Sequence, residues 1–193
     1  MFKREKPFGK GVVPKHLRER FAYLDGLVPS EHPDPWRRAA VIPIGGLWHV
    51  GFGVDPHLLL VLSVAGRGVI DCVKQQTIAR NEDDYYPDVG RLEAEGIGPL
   101  AGQRVRVAGN AGGGLPTTTS DSWGIQLHPL SWPEEELFLC PPGQDMLWQA
   151  PGAPSSLIKL KPLPSSLVAF GFSPDGQSLI IATSSELEIL RRD

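Results

Sequence analysis

The run Gly109-Asn110-Ala111-Gly112-Gly113-Gly114-Leu115-Pro116-Thr117-Thr118-Thr119-Ser120-Asp121-Ser122-Trp123 holds the least ordinary chemistry in the chain. Three consecutive glycines let backbone N–H groups converge on an anion, and the threonine hydroxyls add donors. The plainer reading is a long, flexible hairpin loop. A nucleotide-binding P-loop needs a lysine that follows its last glycine, and no lysine stands between Gly109 and Trp123. The candidate binding residues are therefore Gly112, Gly113, Gly114, Thr117, Asp121 and Trp123. His49 joins them: it follows Gly45-Gly46 and Trp48, where it reads either as a general base in a cleft or as a structural histidine at a strand end.

The remaining reactive side chains form no pattern that specifies a reaction. Asp55, His57 and Ser63 are neighbours in sequence only, one turn and the strand after it, unlike a Ser-His-Asp triad. Glu31, His32 and Asp34 are metal-ligand types, but the prolines around them fix the group locally and no further ligand is offered. Glu82, Asp83, Asp84 and Asp88 surround Tyr85-Tyr86-Pro87 without the ligand spacing or terminal glutamate of a calcium loop, and read as a solvated loop. Cys72 and Cys140 lie far apart with no CxxC spacing, which predicts two buried, unlinked thiols. No metal and no cofactor is expected.

The elements that must position these residues are short. Pro14 suits the first turn of a helix whose apolar stripe is Leu17, Phe21 and Leu24, ended by Gly26, with Lys15, Arg18 and Arg20 on a basic outer face. Val28 to Pro35 carries three prolines and should run extended. Strand-type runs follow at 39–44, 47–52, 58–63, 68–73, 104–108, 124–127, 137–139, 167–172, 179–183 and 187–190, each bounded by turn residues.

Gly171-Phe172-Ser173-Pro174-Asp175-Gly176, with the apolar run after it, resembles the FSPDG turn and following strand of a WD40-type β-propeller blade. A shift of 120 residues lays Gly51, Phe52, Asp55 and Leu59 on Gly171, Phe172, Asp175 and Leu179, so a strand-turn-strand unit is expected twice, with Phe52 and Phe172 in equivalent buried positions. With about 40 residues per blade, two more units fit between the copies. The Trp-Asp dipeptide of that family is absent. The chain as a whole is similar to short bacterial proteins without an assigned activity, a resemblance that implies none.

These readings predict an all-β fold with one short N-terminal helix, a small or degenerate β-propeller-like array of antiparallel hairpins, with a twisted β-sandwich as the alternative. They place a basic arm, helix and Pro-rich linker at 1–38 before a β domain at 39–193, all in one domain. Nineteen basic and 22 acidic residues give a net charge of −3, which excludes a global field for nucleic acid or an anionic membrane. No apolar h-region follows the basic N-terminus and no apolar run reaches the ~20 residues of a membrane span, so a cytoplasmic location is expected. The functional expectation is a non-enzymatic protein- or peptide-binding module, in a bacterial regulatory or toxin-neutralising setting. The alternative is a hydrolase with a pocket at His49 and Gly112–Gly114. A flat aromatic patch near Trp36, Tyr85 or Trp123 would favour binding.

Overall fold

The run Leu58-Leu59-Leu60-Val61-Leu62 cannot leave either face of a strand in water, so a sheet built on it must be covered twice. The computed structural model, which describes residues 15–31, 33–128, 135–148 and 156–192, shows this repeatedly: the fold is all-β with one short helix, built from several antiparallel sheets. A single turn of 3-10 helix leads into α1 (Arg18–Gly26), and Phe21 and Leu24 are buried as the apolar stripe requires. No helix among the described residues is long and apolar enough to cross a membrane.

The strands are β1 (Arg37–Pro43), β2 (Leu47–Phe52), β3 (Leu58–Ser63), β4 (Gly66–Asp71), β5 (Gln76–Asn81), β6 (Glu93–Glu95), β7 (Arg104–Arg106), β8 (Ala108–Gly109), β9 (Gly124–Leu127), β10 (Leu137–Cys140), β11 (Ile158–Lys159), β12 (Leu167–Phe172), β13 (Ser178–Thr183) and β14 (Glu186–Arg191). They form a five-stranded sheet β5-β4-β3-β2-β8, a pair β6-β7, a three-stranded sheet β11-β10-β9 and a four-stranded sheet β1-β14-β13-β12. The predicted strand at 104–108 is divided: Arg104–Arg106 pairs with β6, whereas Ala108–Gly109 crosses to β2. The extended segment after α1 is tied down, because the Ser30 N–H donates to Lys159 O at 2.8 Å and Trp36 is fully buried.

Four layers of buried side chains order the sheets. Leu60, Leu62 and Val69 pack with Ala94 and Val105 of β6 and β7. The opposite face of the same sheet, Leu59, Val61 and Ile70, packs on Ile180, Ala182 and Ile189. Leu179, Ile181 and Leu190 face Ile125, Leu137 and Leu139. Phe138 and Cys140, on the far side of β10, pack on Phe21 and Leu24 of α1. The order through the stack is thus β6-β7, the five-stranded sheet, the four-stranded sheet, the β9–β11 sheet and α1.

The segments related by 120 residues adopt one register. Val50, Gly51 and Phe52 oppose Val61, Leu60 and Leu59, while Phe170, Gly171 and Phe172 oppose Ile181, Ile180 and Leu179. Both pairs break register at the same place, between Leu47 and His49 and between Leu167 and Ala169. Their turns match as well: Asp55 Oδ1 accepts the His57 N–H at 2.9 Å, and Asp175 Oδ1 accepts the Gln177 N–H at 3.1 Å. Equal burial of Phe52 and Phe172, however, does not hold. Phe172 is fully buried against Trp36 with ring centroids 5.0 Å apart, whereas Phe52 is partly exposed and packs on the layer between the two large sheets.

Candidate functional site

The glycine- and threonine-rich run is a strap across strand edges, and its backbone chemistry explains why. It leaves β8 after pairing with β2, makes a tight turn in which Gly109 and Gly112 exchange hydrogen bonds, and inserts Leu115 into the layer between the two large sheets. Pro116 O then accepts the Phe172 N–H of β12 at 2.7 Å, and Thr117 O accepts the Ile125 N–H of β9 at 2.9 Å. The strap thereby satisfies edge groups of three sheets that would otherwise need water.

Gly113 is required by conformation and by its own chain. Its φ is +82°, and a Cβ there would stand 2.6 Å from Val107 O. Gly114 differs, with no positive φ and open space where a Cβ would project. Gly112, Gly113, Gly114 and Thr117 lie on the exposed side of the strap.

His49 sits beneath this part of the strap, only 3% exposed, where its Nε2 accepts the Ala111 N–H at 3.1 Å. Burial pushes its pKa below the ordinary histidine value, so the ring is neutral at pH 7 with its proton on Nδ1. The lone pair that a general base needs is occupied by the loop. Neither thiol supplies a nucleophile: Cys72 and Cys140 are free and buried, and burial pushes both pKa values up to about 12. His57 Nδ1 lies 3.7 Å from Asp175 Oδ2 of the matching turn rather than beside Ser63, whose Oγ accepts the Ala65 N–H.

Asp121 and Trp123 belong to the other end of the strap. Arg192 binds Asp121 with two hydrogen bonds of 2.6 and 2.7 Å, donates from Nε to Gly176 O, and lays its guanidinium 4.7 Å from the Trp36 ring centroid. Those Arg192 bonds, with one from the Thr119 hydroxyl, hold the Asp121 carboxyl well below the usual carboxylate range. Trp123 meets Trp36 edge to face at 6.3 Å. The flat aromatic patch that would favour binding is not formed by these rings: Trp36 is core, and Tyr85 lies under the Arg67 guanidinium at 3.9 Å. Tyr86 is an exposed ring, 75% accessible and edge-on to Trp48, and Trp148 is exposed as well. The helix face is not a free basic surface either, since Arg20 donates to the carbonyls of Asp145 and Met146.

Two arrangements were invisible in the sequence. The first is a cleft of about 140 Å3 between β1 and the β3–β5 surface, with Ile42, Ile44 and Val61 as apolar walls and Ser63, Thr77 and Arg80 offering polar atoms. Gly68 also lines it and adds no side chain. Thr77 and Arg80 are exposed. The second is the convergence of Asp25, His128 and Glu136, separated by up to 111 residues, whose ligand-type atoms lie within 4.8 Å of one another. His32 lies outside the described residues, and the acidic loop turns on itself, with Asp88 Oδ1 accepting the N–H groups of Gly90 and Arg91.

The chain matches no protein-family model, no curated protein and no solved structure.

Proposed function

We propose that the protein is a non-enzymatic module that binds an extended peptide or an exposed segment of another protein in the cleft between β1 and β5. The observation that carries this reading is the construction of the cleft. β1 and β5 are edge strands of neighbouring sheets, so both offer backbone groups to an incoming strand. The cleft between them is lined by apolar residues and by the exposed Arg80. An apolar side chain followed by a carboxylate fits this combination of an apolar slot and a cation.

The propeller-like reading of the fold is part of the proposal. In chain order the five-stranded sheet, β6-β7, the β9–β11 sheet and the four-stranded sheet make four units, and the last packs on the first. Its outer strand, β1, comes from the other end of the chain. Stacks of this kind present loops and edges for binding. No observation favours the hydrolase, because the base candidate His49 already accepts a hydrogen bond from Ala111.

Selection of a random displayed peptide library on the purified protein tests the reading. Enriched peptides should carry an apolar residue next to an acid, and should bind Thr77→Trp and Arg80→Glu at least about tenfold more weakly, the loss of one good contact. Binders indifferent to both substitutions, or no enrichment at all, would count against the cleft.

A further inference from the structure

We infer that Asp25, His128 and Glu136 form a binding site for a divalent transition-metal ion of the zinc type, clamping α1 to the β9–β10 hairpin. The inference rests on neither the cleft nor the strap. The three side chains come from different elements: Asp25 from the last turn of α1, His128 from just after β9, and Glu136 from just before β10. The hairpin sets two of them face to face, because the His128 N–H donates to Glu136 O at 2.8 Å. One imidazole and two carboxylates are a donor set that zinc accepts, with a fourth position left for water. Ligand atoms around one such ion stand about 3.4 Å apart, given bonds of about 2.1 Å. The three ligand atoms lie within 4.8 Å of one another, so small side-chain movements would bring them to that spacing.

Two further observations favour a cation there. Asp25 is an acid at the negative end of the helix dipole, and the last turn of α1 contains no basic residue. His128 is only 5% exposed, between the rings of Phe21 at 5.1 Å and Phe138 at 5.9 Å, an apolar shell that orients a ligand and excludes solvent. Lys159, whose ammonium lies 2.5 Å from Glu136 Oε1, competes with an ion for that carboxylate.

Calorimetric titration of the chelator-treated protein with zinc chloride, repeated with cobalt(II) for its visible ligand-field absorption, is the test. Wild type should bind one ion, and the cobalt complex should show the intense absorption of a four-coordinate site. Asp25→Asn, at an exposed position and nearly isosteric, should fold normally and weaken zinc binding at least about tenfold. Lys159→Met should bind zinc more tightly than wild type, because Glu136 loses its competing cation. His57→Ala should titrate like wild type. Absence of binding, or affinities equal in wild type and Asp25→Asn, would overturn the inference, as would a signal lost in His57→Ala.

Discussion

The β2-β3-β4 and β12-β13-β14 meanders share spacing, register, a register break and a turn hydrogen bond, yet their equivalent residues line different layers. Leu59 and Val61 face the layer between the two large sheets, while Leu179 and Ile181, their counterparts, face the β9–β11 sheet. The meanders therefore stack head to tail, one face against the opposite face, instead of mirroring each other. Local sequence decides pairing and turns. Which neighbour covers a face depends on position in the stack. A head-to-tail stack does not cover its own ends, and here β6-β7 covers one side of the pair while the β9–β11 sheet and α1 cover the other.

The sharpest way to break this comparison is to remove the two phenylalanines separately. Phe172→Ala leaves a cavity beside Trp36 and should cost about 3 to 5 kcal/mol, the range for a fully buried phenylalanine. Phe52→Ala should cost clearly less, because part of that ring is already in water. Equal losses in denaturant unfolding would mean that the environments are the same after all.

The strap supplies a middle-sized test. Gly113→Ala forces a Cβ towards Val107 O at positive φ and should destabilise by about 1 to 3 kcal/mol, whereas Gly114→Ala should leave the melting temperature unchanged. If Gly113→Ala is as stable as wild type, the strap is not held as described.

The smallest effect belongs to the pair that pins the far end of the strap to the chain after β14. Asp121 has a depressed pKa in the folded state, so its contribution is present above the unfolded value of about 3.9 and is lost as pH falls through the folded value. Asp121→Asn should therefore be less stable at pH 7 by about 1 kcal/mol or less, because its side chain is half exposed. The gap should close in strong acid. A gap that persists unchanged there would assign the loss to something other than the Arg192 pair.

Much of the fold was legible because the strongest strands carry their burial in the sequence. Leu58–Leu62 and Leu179–Ala182 are apolar on both faces, and Asp175-Gly176 marks a reversal with φ +70° at the glycine. Strand β5, Gln-Thr-Ile-Ala-Arg-Asn, was missed because an edge strand bordering a cleft has no reason to alternate cleanly. Of the candidate site, His49 was placed with the glycine loop only in the hydrolase alternative, and the glycine content alone does not say whether the glycines serve a turn or a ligand. Positive φ and contact with Val107 O are properties of the folded backbone, not of glycine content. The burial of Trp36 is not legible locally, because its partners, Phe172 and Arg192, lie far along the chain. Asp25, His128 and Glu136 share no spacing that a sequence pattern can register.

The partnership of β1 with β14 has a consequence for synthesis on the ribosome. Pro43 emerges 143 residues before Glu186, its partner in the ladder. During that interval β1 is an unpaired edge. Arg37, Arg38, Pro43 and a register break between Arg38 and Ala40 make it a poor template for pairing with another nascent chain. The same strand that completes this sheet is thus built to wait until β14 has been made.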